Sequence, residues 1–195
     1  MTTHEKLRQF TLTSLFVALI ALLGLTPLGI IPVGPLSATI LHIPVIIGAI
    51  ALGRNAGLIL GLAFGLVSTL RAFGIPLPAS PLVLTMMEKS PLPVVVMSVV
   101  PRLLVPLVAW GISRAALRGG KRYALLCASG VAGSLTNTVF YLGLMVLFYA
   151  LMGLDSTAVI ATITGIGGLQ GILEAIVAGI IVPPVVLALE KIQKK

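Results

Sequence analysis

The sequence predicts an all-α integral membrane protein, a compact bundle of six transmembrane helices with both termini in the cytoplasm. Composition is the first reason. Of 195 residues, 58% are hydrophobic and 9% charged, with a mean hydropathy of +1.17, whereas soluble domains are about half apolar and about a quarter charged. Segmentation is the second: the apolar sequence is broken by Pro, Gly and charge into stretches near the ~20 residues that a membrane-spanning helix needs. Such a chain holds about six spans in a single membrane domain, residues 1–195, with no room for a separate soluble domain. The third is the placement of the basic residues, which sets the orientation.

The first candidate span is 10–30. Lys6 and Arg8 precede an apolar run from Thr11 to Leu25, the shape of a signal peptide. No small-x-small cleavage site follows, so the segment is expected to be retained as a helix. The stretch 25–36, LTPLGIIPVGPL, carries three prolines together with Gly29 and Gly34 and reads as a loop or re-entrant cap. Further spans are expected at 36–53, 57–74, 93–117, 122–152 and 157–189. Between the third and fourth, the proline-rich connection 75–93 has a Met86-Met87-Glu88-Lys89 core suited to a short interfacial helix.

Cytoplasmic termini place Lys6, Arg8, Arg54, Arg114, Arg118, Lys121, Arg122, Lys191, Lys194 and Lys195 on the inner side, leaving Glu88, Lys89 and Asp155 in outer loops. This obeys the positive-inside rule, and the reverse orientation inverts it. The net charge of +8 therefore reads as membrane orientation rather than nucleic-acid binding, since the basic residues form no patch with aromatics. The lone Cys127 excludes an internal disulfide and a multi-cysteine metal site.

Against this background the charges within apolar sequence stand out: Arg71, Arg102 and Glu174. An ionisable side chain at the bilayer centre costs at least ~2.5–3.5 kcal/mol and is normally paired or turned to a polar cavity. Arg71 lies near the outer end of its span, where snorkelling is an alternative. Arg102 lies deeper, and an Arg102–Glu174 clasp stands beside a direct ligand role for either. Two arginines against one glutamate leave a positive excess, and a guanidinium fork suits a carboxylate or phosphate.

Ser134, Asn137, Thr138 and Tyr141 fall at i, i+3, i+4 and i+7 and make one polar stripe on the fifth span. Interhelical hydrogen bonds account for two such residues, while four on one face favour a lined cavity. Gln170 and Glu174 share a face of the last span, after Gly165-Ile166-Gly167-Gly168. His42, which follows Thr39, is more often a hydrogen-bonded packing residue than a ligand. Gly57, Gly61, Gly65 and Thr69 repeat every four residues, a small-residue stripe for close helix packing. Ser14 with Ala18, and Ala175 with Gly179, offer shorter stripes of the same kind.

Enzyme signatures are absent: no HExxH, GxSxG or GxxxxGK[ST] occurs, and five acidic residues leave little for acid–base pairs or metals. The chain is expected not to be an enzyme and to hold no cofactor or metal.

The run IPVGPLSATILHIPVIIGAIALGRNAGLILGLAFGLVSTL, residues 31–70, resembles the substrate-binding S component of energy-coupling factor (ECF) vitamin transporters. The shared features are the glycine-proline outer loop, the HIP turn, the Gly48–Gly53 joint and Phe64-Gly65-Leu66-Val67-Ser68, with GILEAIVAGIIVP closing the chain. The resemblance implies a compact six-helix protein in the prokaryotic plasma membrane. It implies a transmembrane coupling subunit and two cytoplasmic ATPase subunits as partners, with ATP hydrolysis confined to them. S components of this kind dock through an AxxxA-type face on the first helix, matched here by Ser14-x-x-x-Ala18, where serine keeps the small-residue logic.

One Trp, three Tyr and six Phe do not readily build an aromatic sandwich for flavin, thiamin or folate. A polar stripe with arginine suits a small, flexible, non-aromatic carboxylate, and the pattern looks most like the pantothenate-specific members. Arg71 or Arg102 would then meet the carboxylate, with Asn137, Tyr141 and Thr39 on the hydroxyls and amide; His42, Gln170 and Glu174 complete the candidate site. The alternatives are an S component for cobalamin, a pyridoxine-type vitamin or hydroxymethylpyrimidine, and a membrane scaffold or enzyme whose buried charges are structural.

Overall fold

Five helical segments of this chain are long and apolar enough to cross a bilayer: Thr3–Leu25, Arg54–Ala72, Pro91–Ala115, Arg122–Leu151 and Ser156–Ile192. The structure, a computed structural model, describes residues 3–33, 36–115 and 121–193. Gly34 of the expected cap, and Arg118, Lys194 and Lys195 of the basic set, lie outside the described residues.

Helix α1 (Thr3–Leu25) is followed by strands β1 (Ile30–Val33) and β2 (Leu36–Thr39), then α2 (His42–Leu52), α3 (Arg54–Ala72), α4 (Pro81–Lys89), α5 (Pro91–Ala115) and α6 (Arg122–Leu151). The last span consists of α7 (Ser156–Thr162), a π-helical turn (Ile163–Gly167) and α8 (Gly168–Gln193). The first expected helix, 10–30, thus starts seven residues earlier, at Thr3, and stops at Leu25. The stop has a local cause, because Pro27 disfavours helical geometry at Thr26 and the Gly29 N–H turns back to Leu23 O at 3.1 Å.

The second expected helix, 36–53, is corrected. Its first residues form β2, paired antiparallel with β1 in the register Ile30↔Thr39 to Val33↔Leu36, and the helix begins at His42. An all-α description therefore needs one amendment, a two-stranded hairpin in place of the expected cap. Pro32 cannot serve a helix interior, and the β-branched Ile30, Ile31 and Val33 suit an extended backbone. The interfacial helix expected around Met86–Lys89 runs from Pro81. Ser80 caps it, its Oγ accepting from Val83 N at 3.4 Å, with proline at the favoured first position.

Helix α2 is the hub, buried from His42 through Ala49 and packed against α1, α3, α5, α6 and α8. Gly53, with φ of 98°, makes the sharp joint into α3, a conformation glycine adopts without Cβ strain. The glycine stripe of α3 explains that helix's approach to its neighbours. A Cβ on Gly61 would lie 2.5 Å from Arg102 O, and one on Gly57 would lie 2.6 Å from Ala49 Cβ. Two apolar clusters result. One joins α2, α3, α5 and α8 around Ile46, Leu60, Phe64 and Val182. The other joins α4 to α7 around Met86, Met97, Met145 and Val159.

Side-chain ties identify the two ends of the bundle. At one end Gln9 Nε2 donates to Leu52 O at 2.8 Å, Arg8 Nη2 donates to Ile192 O at 3.1 Å, and Arg122 pairs with Glu190. At the other, Arg71 Nη1 donates to Gly24 O at 3.1 Å, Lys89 donates to Met152 O, and Tyr149 Oη donates to Leu82 O at 2.6 Å.

Candidate substrate-binding site

A polar cavity of about 130 Å³ opens between the two apolar clusters, walled by α3, α5, α6 and the last span and covered by Pro78–Val83. One water needs ~10–15 Å³ measured this way, so the space suits a small organic molecule better than an ion. Seven of the eight candidate site residues line it, Thr39, Arg71, Arg102, Asn137, Tyr141, Gln170 and Glu174, together with Thr138 of the polar stripe.

Arg102 dominates the inner wall. It is 7% exposed, and its guanidinium carbon lies over two rings, 4.5 Å from the Tyr141 centroid and 5.2 Å from that of Phe64. Such cation–π contacts are worth ~0.5–2 kcal/mol each. Nη1 donates to Met97 O at 2.8 Å, while the buried Nε has no partner. Arg71 lies at the mouth, half-buried, tied to Gly24 O.

The clasp between Arg102 and Glu174 does not form. Glu174 Oε1 instead accepts from Thr39 N at 2.7 Å and from Gln170 Nε2 at 3.1 Å, which fastens the end of β2 to α8. Asn137 Oδ1 and Gln170 Oε1 are both buried without hydrogen-bond partners. Buried polar atoms are rarely left so. One cationic donor edge and two orphaned acceptors thus belong to residues lining one space, an arrangement that matches a ligand carrying a carboxylate at one end and hydroxyl or N–H donors elsewhere.

The polar stripe of α6 divides. Asn137, Thr138 and Tyr141 line the cavity, whereas Ser134 is fully buried away from it. His42 is not on the cavity. It is buried in the wall of an adjacent apolar groove of about 280 Å³ between the hairpin base and α8, and neither ring nitrogen makes a hydrogen bond. His42, named with the candidate site residues, therefore lies in the wall of the groove rather than in that of the polar cavity. The 75–93 connection covers the cavity with Pro78–Val83, and Leu28 and Gly29 of the 25–36 segment border the apolar groove. Ser14 and Ala18 share an exposed face of α1.

Sequence reading passed over Phe64, Ser68, Ser80 and Ser98 as wall residues. Spacing carried a signal for two of them, since Ser98 is one helical turn before Arg102 and Ser68 three residues before Arg71. Ser80 is placed by the fold of the connection and has no such periodicity.

A family model described as "ECF transporter, substrate-specific component" matches residues 8–186. The chain belongs to this family. This ECF substrate-specific component is also 30% identical, over 96% of its own length and 96% of the relative's, to the pantothenic acid transporter PanT of Lactococcus lactis subsp. cremoris (strain MG1363). Membership makes it a vitamin-binding membrane component that works with ECF module partners. Its long apolar helices agree with a multi-pass membrane protein.

Proposed function

We propose that this ECF substrate-specific component binds pantothenate in the polar cavity and delivers it inward by docking to a transmembrane coupling subunit powered by two cytoplasmic ATPase subunits. The observation that carries the reading is the Arg102 guanidinium, in cation–π contact with Phe64 and Tyr141 and with Nε unpartnered. Pantothenate has the complementary groups: a carboxylate for Arg102, and two hydroxyls and an amide N–H for Asn137 Oδ1 and Gln170 Oε1. The likeness to PanT supports the same ligand. Arg71 attracts the anion at the mouth, Thr39 and Tyr141 border it, and Glu174 holds the hairpin in place. The chain itself performs no catalysis.

The protein lies in the plasma membrane, crossing it six times with both termini cytoplasmic. Helix α2, with 11 residues, is about 16 Å long at ~1.5 Å per residue. Its burial from His42 through Ala49 and its packing against α1, α3, α5, α6 and α8 support counting it as the sixth crossing. The exposed Ser14–Ala18 face of α1 offers small residues to the coupling subunit.

Calorimetric titration of the purified full chain with pantothenate and with neutral pantothenol tests the ligand assignment. A charge-assisted fork contributes ~1.5–3 kcal/mol, so pantothenate is expected to bind about ten- to a hundredfold more tightly. Equal affinities would remove the guanidinium–carboxylate contact.

A further inference from the structure

We infer that Pro101 is the positioning residue for carboxylate recognition in this cavity, an inference that rests on the pantothenate reading. In an unbroken helix Met97 O accepts the N–H of residue 101. Proline has no N–H to give, and α5 carries Pro101 within its helical run. The Met97 carbonyl is thereby left to the Arg102 side chain, whose Nη1 donates to it at 2.8 Å.

This bond determines which edge of the guanidinium is presented. The Tyr141 and Phe64 rings, at 4.5 and 5.2 Å, hold the charge by cation–π contact but use none of its N–H donors. Engaging Nη1 with Met97 O fixes which way the group faces and leaves the other edge, Nε with Nη2, for a ligand. That edge suits a bidentate carboxylate, and its Nε is buried and unpartnered. With a backbone N–H at position 101, Met97 O would be shared between two donors and its hold on the fork would weaken.

The second proline of α5 provides an internal comparison. Pro106 frees the carbonyl of Arg102, which faces the backbone of α3, where a Cβ on Gly61 would lie 2.5 Å away. Pro106 therefore serves helix packing, and Pro101 serves the site.

The test uses the full chain in lipid nanodiscs, titrated with pantothenate and pantothenol. Wild type is compared with Pro101→Ala, Pro106→Ala and a chain carrying the α-hydroxy analogue of alanine at position 101, whose ester bond also lacks the N–H. Pro101→Ala is expected to weaken pantothenate about tenfold and to leave pantothenol within about twofold. The ester variant is expected to keep the wild-type preference, and Pro106→Ala to shift both ligands together. Equal loss of both ligands in Pro101→Ala, an unchanged preference, or an ester variant that behaves like Pro101→Ala would overturn the role of Pro101. Should Pro101→Ala fail to fold, the ester variant decides: loss of the preference there overturns the proposal. A wild-type chain without preference for pantothenate removes the carboxylate reading itself, a failure distinct from the others.

Discussion

Arg102 is a buried charge in cation–π contact with two rings, with one end of its fork bound to one carbonyl. Arg102→Ala removes the fork and is expected to weaken pantothenate about a hundredfold or more, the scale for losing one partner of a buried charge pair. Pantothenol should change far less, and parallel titrations check the difference. Arg102→Lys keeps the charge without the planar fork and should recover only part of the loss. Asn137 makes the contrasting prediction. Its Oδ1 is buried without a partner, and in the proposed binding mode it meets hydroxyl and amide groups that both ligands share, so Asn137→Ala should weaken both by a similar factor, about five- to tenfold. These residues were legible in sequence because each is chemically awkward in apolar surroundings. Phe64 and Ser98 were not, since a phenylalanine and a serine in a membrane helix need no special explanation until their neighbours are known.

Among the elements, α3 and α5 are joined by close backbone contact. Gly61 has no space for a methyl group, because the atom it would meet is the backbone oxygen of Arg102. Gly61→Ala is therefore expected to destabilise the detergent-solubilised protein by about 1–3 kcal/mol, the range for overpacking, read as a lowered thermal midpoint. It should also weaken ligand binding, since the displaced helix carries Arg102. Asp155, in the loop just before the last span, offers a pH test at the N-terminus of α7. Asp155 caps it by accepting from Thr157 N at 2.9 Å, and the hydrogen bonds from the Thr157 side chain and N–H hold the carboxyl below its ordinary pKa. A depressed folded-state pKa means that the cap is present at neutral pH and is lost as pH falls through that lowered value. Amide exchange at Thr157, corrected for its intrinsic rate, should show protection disappearing only there, and Asp155→Ala should lack protection throughout. The long spans were readable from continuous hydropathy. The hairpin was not: a short apolar run fits a buried strand as well as a helix, and Pro32 lies among residues that a membrane reading assigns to a cap.

At the scale of the whole molecule, the charges sort the bundle into two ends. Arg8, Arg122 and Lys191 gather at one and Lys89 and Asp155 at the other. The proposed orientation predicts that Lys89→Cys is labelled by an impermeant maleimide in intact cells and Lys191→Cys only after permeabilisation. The opposite pattern would invert the bundle. The positive-inside pattern of the sequence is the ground for this proposed orientation, and the charged residues in apolar spans pointed to a polar cavity. The walls of that site depend on how α4 folds over the cavity and how Glu174 reaches the end of β2, contacts between residues far apart in sequence that periodicity does not encode. The central claim, a cavity built for a small hydroxylated carboxylate, is tested most directly by purifying the full chain from cells, denaturing it and identifying the released ligand by mass spectrometry. The account predicts pantothenate, present in wild type and absent from Arg102→Ala; release of a different vitamin, or pantothenate retained equally by both, would contradict it.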